Sequence, residues 1–229
     1  MRKMIRVIHA MSLDLWVNTR SLIGAAMVAG LVWTGLSATN TWASGSVLPP
    51  TATPKGYSLQ DMAAQVANFS ISGNDVAFYP DTPFQILYRL GNLQDPTGAN
   101  TFHVRPGTFI YVKYFFIDDS APIIGDWPSD NEGAADYILG RDQIGGHGMQ
   151  IQVDGRAYSL DDPGYIGGPV ATPDSPDGSE HMIQIGAFLT PLSKGVHKVT
   201  VSGTFDGIAF VDFVGVPFTL TITYTVIVE

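Results

Sequence analysis

The chain contains no cysteine and few charges, with 12 Lys and Arg and 21 Asp and Glu among 229 residues. The missing cysteines exclude disulfide staples, a thiolate nucleophile, thiolate-held metals and a cysteine-linked lipid. Three common motifs are also absent: the phosphate-binding G-x-x-x-x-G-K-[ST] loop, the dinucleotide fingerprint G-x-G-x-x-G and the G-x-S-x-G nucleophile turn. No repeat of 20–50 residues recurs. Glutamate is scarce after residue 43, with only Glu132, Glu180 and the terminal Glu229. A glycosidase needs two carboxylates facing each other across a cleft, so by elimination Glu132 and Glu180 would be its pair.

What is present is turn-forming and apolar. Glycine (25) and proline (15) punctuate a chain that is 45% hydrophobic, too apolar for a disordered polymer and patterned for strands joined by many turns. Residues 1–43 have the layout of an export signal. Arg2, Lys3, Arg6 and Arg20 form a basic region, Ser21–Leu36 is an uncharged apolar run, and Thr41-Trp42-Ala43 offers a small-residue cleavage site. The alternative is a retained anchor, for which 16 residues is short. Cleavage after Ala43 removes one acid and four bases. It leaves 20 acids against 8 bases, a net charge of −12. That surface disfavours nucleic acid and, after cleavage, anionic membrane. The expected location is secreted, periplasmic or at the cell surface.

Residues 44–56 are small, proline-rich and aperiodic, which predicts a flexible lead to a single domain over 57–229. Leu59, Met62, Ala63, Val66 and Phe69 follow helical spacing behind Ser58, with Asp61 three residues on, which predicts one short amphipathic N-terminal helix. Thereafter the period is two. Strand patterns cover 84–89, 101–104, 109–116, 149–153, 156–160, 181–189 and 196–205. Asp154-Gly155 marks a tight hairpin. In the last strand Phe218, Leu220, Ile222, Tyr224 and Val226 alternate with Thr219, Thr221, Thr223 and Thr225. The expected fold is all-β, an antiparallel β-sandwich of Greek-key or jelly-roll type with that one helix.

Several stretches occur in the order found in a group of secreted, mostly bacterial proteins. They are Val104-Arg105-Pro106-Gly107-Thr108, Val153-Asp154-Gly155, the turn Pro191-Leu192-Ser193-Lys194-Gly195-Val196-His197, Gly203-Thr204-Phe205 and the closing Thr223-Tyr224-Thr225-Val226. The chain resembles that group in its PLSxGxH turn and its YxVxV-like terminal strand. It departs from the group in a helix without tryptophan and in having no cysteine. The resemblance implies an exported β-sandwich-like fold and brings no activity with it.

Thirteen of the 21 acids fall between Asp118 and Glu180, opposed only by Arg141 and Arg156. Carboxylates crowded on loops repel unless water, a cation or a partner compensates. Asp126, Asp130, Asn131, Glu132 and Asp136, with Gly125 and Gly133 between them, form a candidate calcium loop. Asp174, Asp177 and Glu180 with His181 form a second candidate metal set. The plainer reading of both is turn and helix capping by Asp and Asn. The spacing is not that of an EF-hand. His103, His147, His181 and His197 show no i, i+2 or i, i+4 pair. Of these, His147 in Gly-Gly-His-Gly sits where the backbone can open beside a ligand. Trp127, Tyr137 and Tyr165, together with Tyr158, lie among the acidic loops. Flat rings beside carboxylates suit neutral sugars, while the plainer reading has them covering the sandwich end.

The reading that follows is an exported, non-enzymatic β-sandwich with a structural or ligand-binding role at the cell surface or outside it. Calcium is its candidate ion, and a carbohydrate or a surface protein its candidate partner. The alternative is a secreted carbohydrate-active or metal-dependent hydrolase. N-terminal sequencing and intact mass of the exported protein are expected to place Ser44 first; a product retaining residues 1–43 would be the anchored form.

Overall fold

The computed structural model describes residues 45–89, 100–176 and 178–229. The expected export segment and Asp177 lie outside them. Helix α1, Leu59–Ile71, begins where Ser58 and Asp61 cap each other: the Asp61 amide donates to Ser58 Oγ (3.1 Å) and the Ser58 amide to Asp61 Oδ2 (2.8 Å). Its apolar stripe, Leu59, Met62, Ala63, Val66 and Phe69, is buried.

Nine strands follow among the described residues: β1 Gln85–Leu87, β2 Thr101–Val104, β3 Ile110–Asp118, β4 Gly146–Val153, β5 Arg156–Ser159, β6 Ile166–Ala171, β7 His181–Leu189, β8 Gly195–Phe205 and β9 Phe218–Val228. They form two sheets packed together, a four-stranded one in the order β1-β3-β7-β6 and a five-stranded one in the order β2-β9-β8-β4-β5. The antiparallel expectation needs correction, because both sheets are mixed. β1 runs parallel to β3 and β2 parallel to β9, each at a sheet edge. Alternating polarity reports which face is buried and carries no information on strand direction.

The single-helix expectation is also corrected. Asn131–Leu139 forms α2 and Ile208–Val214 forms α3. The acidic segment conceals α2 because only Ala134, Tyr137 and Ile138 mark its buried side. Residues 45–56, expected to be flexible, are tied to β7. The Leu48 amide donates to the Phe188 carbonyl (2.8 Å) and the Thr190 amide to the Ser46 carbonyl (2.9 Å). Helix α1 lies on β6 and β7, where Gly167 allows close approach: a Cβ there would sit 3.0 Å from the Leu59 carbonyl oxygen.

The strand β3 carries a bulge. Lys113 pairs with Gly186 and Phe115 with Ile185, leaving Tyr114 as the extra residue. Tyr114 and Phe115 consequently both reach the five-stranded sheet. The Tyr114 hydroxyl donates to the Ser202 carbonyl at 2.6 Å, and Phe115 stacks on Phe205 with centroids 4.2 Å apart. Gly203 leaves room for that tyrosine, since a Cβ there would collide with the Tyr114 hydroxyl. Gly203→Ala is expected to cost about 1–3 kcal/mol in urea unfolding; an unchanged midpoint would show that the contact yields freely.

Candidate functional site

The acidic loops resolve mostly into structural work. Asp130 caps α2 by accepting the Gly133 amide (2.8 Å). Asp126 meets Gln143, whose Oε1 accepts the Asp126 amide at 3.0 Å. Glu132 and Asp136 project outward from α2, and Glu180 is exposed. Asp174 accepts Asn68 Nδ2 of α1 at 3.0 Å. Asp161 accepts the Met149 amide (2.8 Å) beside a bulge in β4, and Asp162 accepts the Gly164 amide (2.8 Å). Among the described residues, no three His, Asp or Glu side chains gather in a metal-holding arrangement.

Asp119, one of the clustered acids but outside both candidate metal sets, joins the two suspect loops. Its Oδ1 accepts the amides of Glu180 (2.7 Å) and His181 (2.9 Å), and its Oδ2 lies 3.0 Å from His181 Nδ1. Burial alone would raise its pKa, but these hydrogen bonds and the histidine outweigh burial and lower it.

The candidate aromatics divide in the same way. Tyr137 is buried, donates to the Ile124 carbonyl (2.6 Å) and packs edge-on against Trp127. Tyr165 is buried and donates to the Leu48 carbonyl (3.0 Å). Neither presents a free ring face to a sugar. Trp127 is partly buried against the core.

Each histidine among the described residues stands beside a carboxylate: His103 by Glu229, His147 by Asp206, His181 by Asp119 and His197 by Asp154. The His197 cluster has the residue types of an acyl-transfer triad. Nδ1 lies 2.7 Å from Asp154 Oδ2 and Ser193 Oγ lies 3.5 Å from Nε2. The wiring is wrong for a base, however, because Nε2 lies closer, 2.9 Å, to the carbonyl oxygen of Ser193. With Nε2–H directed at that carbonyl, the nitrogen nearest Ser193 Oγ is a donor and cannot accept the serine proton. Burial would lower the His197 pKa, but the bonds to Asp154 and Ser193 together with the Asp154 charge raise it. The pair connects the PLSxGxH turn to the Asp154-Gly155 hairpin, two of the stretches that carry the resemblance. Lys198 adds its amide to Asp154 Oδ1 at 2.8 Å.

His147 is the sequence candidate that lies in a concavity. An open pocket of about 380 Å³ is lined by Leu139, Arg141, Gly145, Gly146, His147 and Asp206. His147 Nδ1–H donates to the Gly145 carbonyl (3.0 Å) with Asp206 Oδ1 3.5 Å away, so the Nε2 side remains available to a ligand. Next to this lining, backbone meets backbone. The first amides of α3, those of Ile208, Ala209 and Phe210, donate to the carbonyls of Arg141, Asp142 and Gln143 at 2.8, 3.3 and 3.1 Å. Gly145 and Gly207 press together too closely for either to carry a side chain. Arg141 supplies a planar donor fork, Asp206 an acceptor and His147 either role. Sequence reasoning had the Gly-Gly-His-Gly signal and missed Arg141 and Asp206, which only the fold brings there.

No family model and no curated protein matches the chain. A solved structure described as "Solution Structure of Amebosin" is 14% identical, covering 56% of this chain and 88% of that one, with a TM-score of 0.20. A superposition that poor carries no statement about fold or function.

The His197–Asp154 pair sets a pH dependence. A histidine with a raised folded pKa contributes stability that is fully present below its unfolded value, near 6.5, and lost as pH rises through the folded one. Asp154→Asn is expected to cost about 1 kcal/mol at pH 6, discounted because Asp154 is half exposed, and less at pH 9. Urea melts at both pH values check this; equal losses would contradict the charged pairing.

Proposed function

We propose that the protein is an exported, non-enzymatic binding protein of the cell surface or extracellular space whose ligand is a neutral, hydroxyl-rich chain, a polysaccharide. The observation that carries this reading is the outer face of the five-stranded sheet. Thr219, Thr221 and Thr223 on β9 stand opposite Thr204, Ser202 and Thr200 on β8, and Gln150 and Gln152 on β4 continue the same rows. Between the pocket and the His103–Glu229 pair, the outward side chains of β8 and β9 include one charge, Lys198. For a chain of net charge −12 after signal removal, a face free of carboxylates is distinctive, because solvated sheet faces ordinarily carry both signs. Hydroxyls and amides both donate and accept, as sugar hydroxyls do. The row His147–Thr204–Thr219 joins the face to the pocket, where Arg141, His147 and Asp206 would hold the chain's end.

The hydrolase alternative has less support. Neither Glu132 nor Glu180 lines the pocket, and no hydroxyl nucleophile does. Calcium forms no part of the proposal, since the described acids of the two loops cap a helix, bond neighbouring side chains or lie exposed. Retention on insoluble cellulose, chitin and starch tests the reading. Binding to at least one is expected, with a loss of tenfold or more in the double variant Thr221→Glu/Thr223→Glu and a smaller loss in Arg141→Ala. No retention on any neutral polysaccharide, or retention unaffected by the glutamates, overturns it.

A further inference from the structure

Lys113 is the one charged residue in an otherwise apolar strand sequence, Phe109-Ile110-Tyr111-Val112-Lys113-Tyr114-Phe115-Phe116. It is 7% exposed. Lys113, immediately before the bulge, faces α1, on the side of the sheet opposite Tyr114 and Phe115. Its amine is 3.2 Å from Ser70 Oγ on the last turn of α1 and hydrogen-bonds Asn74 Oδ1 just beyond the helix. The rings of Phe69 and Phe116 lie 5.1 and 5.2 Å from it.

We propose that Lys113 makes the docking of α1 proton-linked: charging its amine weakens the hold of the four-stranded sheet on the helix's C-terminal turn. Among the described residues, the groups facing the amine are uncharged. Helix α1 presents Ser70 and Phe69, the following turn presents Asn74, and β3 presents Phe116. From β7, Gly186 sits opposite Lys113, and Gln184 lies 3.5 Å from the Ser70 hydroxyl. No carboxylate among the described residues pairs with Lys113. A neutral amine needs acceptors for two N–H groups, and Ser70 and Asn74 are two. An ammonium has a third N–H with only ring faces to meet it, which compensate in part.

Burial lowers the Lys113 pKa to about 7. A lysine so depressed binds fewer protons folded than unfolded between about 7 and its ordinary value of 10.5. Stability therefore rises with pH across that window, and the destabilisation is complete below about 7. This slope is opposite in sign to that of His197.

The element affected is specific. Asn74 has a left-handed backbone (φ 67) after Gly73 (φ 78), and its amide donates to the Phe69 carbonyl at 2.9 Å. The amine thus grips the reversal that ends α1.

The test compares the full mature protein with Lys113→Met at pH 6 and pH 9. Between these pH values the unfolding constant of the native protein is expected to fall, relative to the variant, by on the order of ten- to a hundredfold. Native-state hydrogen exchange, corrected for intrinsic rates, is expected to show the amides of residues 66–74 losing protection at pH 6 ahead of those in β8 and β9. Identical pH slopes for the two proteins overturn the proposal, as does loss of protection spread evenly over the molecule. Should the methionine variant fail to fold, the Lys113 13Cε resonance of the native protein decides the matter. A titration midpoint near neutrality supports the proposal, and one near 10 ends it.

Discussion

One extra residue in β3 organises the two sides of the four-stranded sheet. Without the bulge at Tyr114, strict alternation would set Tyr114 and Phe116 on one face and Lys113 and Phe115 on the other. With it, Tyr114 and Phe115 both enter the space between the sheets, where they meet Ser202 and Phe205. Lys113 and Phe116 share the outer face beneath α1. The glycines at 203 and 167 then answer the two close approaches, one for a tyrosine hydroxyl and one for a helix backbone. The entry of both Tyr114 and Phe115 into the core and the return of Phe116 to the face of the buried amine are consequences of the same irregularity.

A chain without cysteine is fastened here by aspartate. Asp61 and Asp130 close helix starts, Asp75 and Asp162 close short turns, and Asp119 and Asp154 tie loops to strands far away in sequence. In each case a carboxylate accepts backbone amides, a charge-assisted bond stronger than a neutral one. The accumulation of acid in the middle of the sequence is thus largely the chemistry of turns, which abound where strands are short. Repulsion between these carboxylates is reduced because they are dispersed over separate turns.

Much of this was legible in the sequence, and the limits have physical reasons. The helix at Leu59–Ile71 and the terminal strand announce themselves because each buries one face over many residues. The hairpin at Asp154-Gly155 was readable because positive φ at both positions favours that dipeptide. Strand direction was not readable, since β1 and β2 are short edge strands whose partners lie far along the chain. The helix α2 was hidden by its acids. Among candidate site residues, His147 was visible through its glycines. Tyr137 and Tyr165 misled because an aromatic with a hydroxyl looks the same whether it binds a ligand or a buried carbonyl. Arg141 and Asp206, 65 residues apart in number, meet only through the fold.

The backbone junction beside the pocket has a bearing on how such a site can change. Carbonyls of residues 141–143 cap α3, and two glycines seal the contact, so this junction depends little on side-chain identity away from Gly145 and Gly207. Arg141, His147 and Asp206 line the depression beside that junction as replaceable attachments. Related chains could exchange all three for other polar groups while keeping the same depression. Chemical preference would then diversify quickly in a lineage whose frame stays constant, and a common frame would be a poor guide to a common ligand.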